Sequence, residues 1–249
     1  MSERDDLGTP LPPTAGRRIV SLVPSLTEAV AATGRLVGAT DFCTHPSGLD
    51  VARVGGTKWP DVDAVTALQP DLVLANAEEN RPEDVLALRT AGIAVWVTYP
   101  RTVPDALTSL ARMFAAMGEP EPDWLAAATT SWADPPMLVP PVEAVIPVWR
   151  RPWVVVGTDT FAGDVLARLG VRNTYQDAPQ RYPRPDLDDI RARRPSLVVL
   201  PDEPYAFGPT DGPESFPGVR CAFVSGRHLT WYGPSLVEAP ALLMAQLTP

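Results

Sequence analysis

Lysine is nearly absent from this chain: of its 21 basic residues only Lys58 is a lysine, and histidine and cysteine occur twice each. Cys43 and Cys221 lie too far apart in sequence to suggest a disulfide framework, so reduced, buried thiols are the expectation. Thirty acidic residues outweigh 21 basic ones, giving a formal net charge of −9. Such a chain has no clustered positive charge to neutralise phosphates, which argues against nucleic acid as a partner. No apolar run approaches the ~20 residues that cross a bilayer, so membrane insertion is not expected. The opening MSERDDLGTPLPPTAGRR has no apolar h-region and no cleavage site after one. It reads as a disordered arm over residues 1–16 of a cytoplasmic monomer, or of an extracytoplasmic one if a leader precedes the sequence. Two catalytic signatures are missing as well, the G-x-S-x-G elbow and the G-x-x-x-x-G-K-[ST] phosphate loop.

Proline, by contrast, is abundant, 30 of 249 residues or about 12% against a usual ~5%. It punctuates apolar segments, at Pro24, Pro70, Pro195 and Pro201, in a chain that is 45% hydrophobic with a mean hydropathy of −0.02. That composition builds cores, and the length admits one large domain or two small ones. An internal repeat favours two. Asp61-Val-Asp-Ala-Val-Thr-Ala-Leu-Gln-Pro-Asp-Leu-Val-Leu matches Asp186-Leu-Asp-Asp-Ile-Arg-Ala-Arg-Arg-Pro-Ser-Leu-Val-Val at a constant separation of 125 positions, and Glu78 then matches Glu203. Each copy reads as a short helix, a proline that ends it and a buried strand. A looser pair, Ile19–Gly34 with Val154–Gly170, reads as strand, turn, helix and glycine. A third sets Gly92–Val97 against Gly218–Val224.

The fold expected is α/β: two Rossmann-like lobes with mostly parallel sheets, joined by a helical and proline-rich connector, with a ligand cleft between them. The boundaries are residues 17–118 for the N-terminal lobe, 119–141 for the connector and 142–249 for the C-terminal lobe. Strands are expected at Arg18–Leu22, Leu36–Ala39, Leu72–Ala75, Ala94–Val97, Ala144–Val148, Val154–Val156, Leu197–Leu200 and Ala222–Val224. Ser25-Leu-Thr-Glu28 reads as a capping box that opens the first helix. Ligands of open parallel sheets bind beyond the carboxyl ends of the strands. That rule nominates Pro24, Ser25, Glu78, Tyr99 and Arg101 from the first lobe, and Phe161, Glu203, Tyr205, Arg227, Trp231 and Tyr232 from the second. Trp59 falls in a neighbouring loop, as do Trp149 and Trp153.

Three segments, RIVSLVPSLTEAVAATG (Arg18–Gly34), GGTKWPDVDAVTALQPDLVLANAEEN (Gly55–Asn80) and the Leu197–Pro204 repeat, resemble the helical-backbone (class III) substrate-binding proteins of ABC transporters. The vitamin B12 receptors are nearest, with siderophore and haem receptors further off. The resemblance covers nearly everything after the arm. It implies a protein that encloses a corrinoid or metal chelate without transforming it and needs no other cofactor. It also implies aromatic contacts at Trp59, Phe161 and Trp231, and docking of an ABC permease through one acidic residue per lobe, at Asp63 and Asp188. Two features depart from the family. Prolines interrupt the connector, where the family has one long helix, and no export signal is present.

Two other chemistries stay open on the residues alone. A metal-ion receptor would draw on Cys43, His45 and His228 with nearby carboxylates. An enzyme would use Glu78 and Glu203 as an acid–base pair.

Overall fold

The computed structural model describes residues 3–12 and 16–248 and divides the chain into two compact units. Unit 1 comprises Met1–Pro100, Pro104–Ala126 and Tyr232–Pro234, and unit 2 comprises Arg101–Val103, Ala127–Trp231 and Ser235–Pro249.

Unit 1 contains β1 (Ile19–Ser21), α1 (Pro24–Val30), β2 (Leu36–Ala39), β3 (Ala52–Arg53), α2 (Val62–Ala67), β4 (Leu72–Asn76), α3 (Pro82–Thr90), β5 (Ala94–Thr98) and most of α4 (Val103–Ala116). Its five strands are all parallel, in the order β3-β2-β1-β4-β5. A parallel strand covered on both faces reads as a nearly continuous apolar run, and every residue of Leu72–Asn76, apolar up to Asn76, is buried. Val20, Val65, Val73, Leu88 and Val95 meet in the core on one side of this sheet. Helix α5 (Asp123–Ala133) straddles the division, Asp123–Ala126 grouping with unit 1 and the remainder with unit 2.

Unit 2 contains β6 (Val142–Val145), β7 (Pro147–Trp149), β8 (Val154–Val155), α6 (Phe161–Arg168), β9 (Val171–Asn173), α7 (Leu187–Ala192), β10 (Leu197–Pro201), β11 (Arg220–Val224), α8 (Gly226–Thr230) and α9 (Ala239–Leu247). Four strands form a parallel sheet in the order β11-β10-β6-β9, while β7 and β8 pair antiparallel by themselves. The five-stranded and four-stranded sheets are therefore both parallel, as expected.

The repeat is deeper than the sequence match. Ile19 pairs with Leu72 in unit 1 and Ala144 with Leu197 in unit 2, so the 125-position separation also relates β1 to β6. Gln69 and Arg194, again 125 apart, both adopt the left-handed backbone at φ 49° before Pro70 and Pro195. A left-handed non-glycine residue costs about 1–2 kcal/mol, and the same outlay recurs at the same step in each unit.

Four expectations need correction. The strand equivalent to β1 is β6, not Val154–Val156, because the β7–β8 hairpin is inserted between that strand and its helix. The expected single strand at Ala144–Val148 is split in two, and β3 and β9 were not anticipated. Ser25 caps nothing: Pro24 occupies the first helical position, so Val23 is the N-cap and gives no side-chain bond.

The fourth concerns the N-terminal arm, which is packed rather than disordered over Glu3–Pro12 (residues 1–2 and 13–15 lie outside the described residues). Asp5 is 2% exposed and accepts hydrogen bonds from the backbone N–H of Leu7, Thr9 and Val97 and from Arg89. Asp6 accepts from Tyr99 N, Ser109 Oγ and Arg112. Composition marks such a polar, proline-rich stretch as disordered. Its order comes from partners 84 to 106 residues away, which no local pattern reveals.

Candidate functional site

In a doubly wound parallel sheet the crevice opens where the connections leave the sheet in opposite directions. In unit 1 that point is the carboxyl ends of β1 and β4, and in unit 2 those of β6 and β10.

The turn after β4 is organised by two asparagines. Asn76 Oδ1 accepts from Glu78 N at 2.7 Å and Glu79 N at 3.1 Å, and Asn80 Oδ1 accepts from Asn76 N at 2.9 Å. Asn80 Nδ2 then donates to Thr57 O at 2.9 Å, and the Lys58 ammonium donates to Glu78 O. Both bonds tie the turn to the Gly55–Pro60 hairpin. Gly55 sits at φ +80° with the Trp59 carbonyl 3.2 Å from where a Cβ would be, so the hairpin needs glycine there. The outcome is a Trp59 that is 69% exposed, with the Arg81 guanidinium 3.9 Å from its ring centroid. Phe42, beyond the end of β2, is 64% exposed beside Gly56 in the same hairpin. The protein around Glu79 desolvates its carboxyl and holds its pKa above the ordinary value, with Lys58 pulling the other way.

Other residues nominated in unit 1 turn inward. Ser25 is 3% exposed and Tyr232 is 7% exposed. The Tyr232 hydroxyl lies 2.6 Å from Asn76 Nδ2, which donates to it, and 2.9 Å from Thr98 Oγ1, and it also bonds Ser25. Burial drives the phenol pKa well above 10. Both residues therefore lie in the interior of unit 1, with their polar atoms engaged by protein partners. Tyr99 is half-buried, its N–H held by Asp6, and Pro24 is half-buried at the start of α1.

In unit 2, Tyr205 and Trp149 form a partly exposed pair, centroids 5.6 Å apart and edge to face. Phe207 packs on Tyr205 at 4.7 Å and stacks with Trp153 at 6.2 Å. Tyr205 Oη donates to Asp211 at 2.5 Å, and that hydrogen bond raises the phenol pKa. Arg150 pairs with Asp211 and Glu214. The inserted β7–β8 hairpin thus supplies the aromatic surface here. Phe161 and Trp231 are buried, 5% and 9% exposed. Arg101 is exposed and pairs with Asp159 at 2.8 Å. Glu203 lies against Gly226, where a Cβ would come within 2.3 Å of Glu203 Cγ, so only glycine allows that approach.

The metal set does not assemble. Cys43 is fully buried with its Sγ 3.0 Å from Thr27 Oγ1 and 3.1 Å from Thr40 Oγ1. His228 uses both ring nitrogens, on Ser225 Oγ and Glu238 Oε1, each at 2.8 Å, and His45 Nδ1 lies 3.1 Å from Thr44 Oγ1. The His228 bond, with Arg227 at 3.6 Å, holds the Glu238 carboxyl below its ordinary pKa. Among the described residues no group of three or more His, Cys, Asp or Glu side chains is placed to hold a metal ion. An open cavity of about 500 Å³ lies elsewhere on unit 1, lined by residues that include Glu28, Ala31, Pro46, Leu49, Asp50 and Pro234.

With its two parallel α/β units, this chain has the fold of the helical-backbone (class III) substrate-binding proteins of ABC transporters. It is related in sequence to the vitamin B12-binding protein of Vibrio cholerae, 21% identical over 209 residues that span 79% of this chain and 74% of the relative. The crystal structure of the periplasmic vitamin B12-binding protein of Vibrio cholerae matches with a TM-score of 0.76 at 18% identity, over 93% of this chain and 96% of that one. A periplasmic haem-binding protein of Pseudomonas aeruginosa matches with a TM-score of 0.70 at 22% identity, over 92% of each chain. No protein-family model matches. Because these structures are of periplasmic proteins, the cytoplasmic reading drawn from the missing h-region is corrected. The first residues of the sequence decide nothing about compartment.

Proposed function

We propose that the protein is a non-catalytic substrate-binding protein for a planar, conjugated ligand of the corrinoid or haem kind, working outside the cytoplasm. The observation that carries this reading is Trp59: a large aromatic ring, 69% exposed at the carboxyl edge of a parallel sheet and backed by a guanidinium. Water disfavours so exposed a ring, and stacking on a flat ligand would remove its apolar face from solvent. The Trp149–Tyr205 pair offers unit 2 a similar surface. The ligands for which the relatives are named, vitamin B12 and haem, suit both.

Docking to an ABC permease through Asp63 and Asp188 belongs to the same proposal. Both side chains stand exposed in the first turns of α2 and α7, and they are equivalent in the repeat. The test is titration with cyanocobalamin and with hemin, followed by tryptophan quenching and the visible absorbance of the ligand. Trp59→Ala should weaken binding at least tenfold with the melting temperature unchanged. Unaltered affinity in that variant removes Trp59 from the site, and failure of both ligands to bind the wild-type chain overturns the ligand class.

A further inference from the structure

We infer that Arg81 and Asp84 form a positioning device for Trp59, fixing the indole plane before any ligand arrives. The inference rests on the ligand-stacking reading of Trp59 given above. A tryptophan on a two-stranded turn, 69% exposed, would ordinarily sample several rotamers and lose that freedom on binding. Here its ring is not free to do so, because the Arg81 guanidinium lies 3.9 Å from the ring centroid. The guanidinium is itself held. Its Nε donates to Asp84 Oδ2 at 2.8 Å and one terminal nitrogen to Asp84 Oδ1 at 2.6 Å, the two-pronged pairing that fixes an arginine plane. Asp84 is 6% exposed in the first turn of α3, with its N–H bonded to Arg81 O at 3.1 Å, so the carboxylate is anchored to the helix start.

The hairpin carrying Trp59 is pinned to the same loop by the Asn80–Thr57 and Lys58–Glu78 hydrogen bonds. Backbone and ring are thus both fixed from the segment Glu78–Asp84. A flat cation over one face of the indole leaves the opposite face for stacking, and only arginine combines the planar fork with a permanent charge. Arg81 acts through Trp59 and not by touching the ligand, which separates it from the arginines nominated by the sequence, Arg101 and Arg227.

Two measurements test this. Without ligand, the Trp59 contribution to the near-ultraviolet circular dichroism is taken as wild type minus Trp59→Phe. Arg81→Ala and Asp84→Asn should each reduce that contribution by half or more, and Arg81→Lys should not restore it. An undiminished signal in both overturns the device. With hemin or cyanocobalamin, whichever binds, Arg81→Ala should weaken affinity about three- to tenfold in the wild-type background and not at all in the Trp59→Ala background. A loss of equal size in both backgrounds means direct ligand contact and overturns the positioning role. If Trp59→Ala itself leaves affinity unchanged, the ligand reading fails while the circular dichroism still decides whether Arg81 orders the ring.

Discussion

Tyr232 illustrates how far a side chain's role depends on where its hydroxyl goes. As part of a Trp-Tyr-Gly run after a strand end it resembles a binding aromatic, but its hydroxyl is shared by Asn76, Thr98 and Ser25 inside unit 1. Tyr232→Phe should cost about 1–3 kcal/mol in urea unfolding at pH 7, because buried partners lose a hydrogen bond. The pH dependence has a definite sign. A phenol whose folded pKa is raised contributes fully below its ordinary value of 10, and the contribution is lost as pH rises from there towards the folded value. Stability above pH 10 should fall more steeply in the wild type than in Tyr232→Phe, by about 1.4 kcal/mol per pH unit at most. Equal slopes would show that the phenol ionises without opposing the fold. Arg81 and Phe42 are the reverse case. Nothing in their sequence surroundings marked them, although Phe42 does follow a strand end, where the carboxyl-edge rule applies.

Element by element, the helices and strands follow local rules except where a proline or a distant partner intervenes. Pro24 moves the start of α1 one residue ahead of the Ser-Leu-Thr-Glu box and so removes the cap that the box predicts. Pro147 opens β7, so β6 ends at Val145 and a hairpin forms in place of one longer strand. The N-terminal arm gains order through Asp5 and Asp6. Asp5→Ala strands the N–H of Val97 and part of the Arg89 guanidinium, and should cost about 2–4 kcal/mol. Chemical denaturation measures this directly, and a change under 0.5 kcal/mol, the scale of a neutral surface site, would mean that the arm adheres without contributing to stability.

At the scale of the whole molecule the repeat governs both architecture and energetics. Asp61 and Asp186 are equivalent N-caps, accepting from Ala64 N at 2.9 Å and Asp189 N at 2.8 Å. Each replaced by alanine should cost about 1 kcal/mol. Since the two caps belong to different units and share no partner in these bonds, the double variant should lose the sum within ~0.5 kcal/mol. A marked excess over the sum, in equilibrium unfolding, would point to coupling between the units through the unfolding transition itself.

The sequence by itself determined the α/β class, the two-fold repeat, the parallel buried strands and the carboxyl-end loops in which Trp59 and Tyr205 lie. These follow from hydrophobic period, proline and glycine punctuation and a constant separation between matching residues, all of them local or self-referential signals. Tertiary structure alone decided which nominated residues face outward. It turned Ser25 and Tyr232 into interior groups, satisfied Cys43 and His228 with hydroxyls and a carboxylate, ordered an arm that looked disordered and set Arg81 against Trp59. Those outcomes rest on hydrogen bonds and packing between residues far apart in the chain, and burial of a polar group is favourable only where such partners exist.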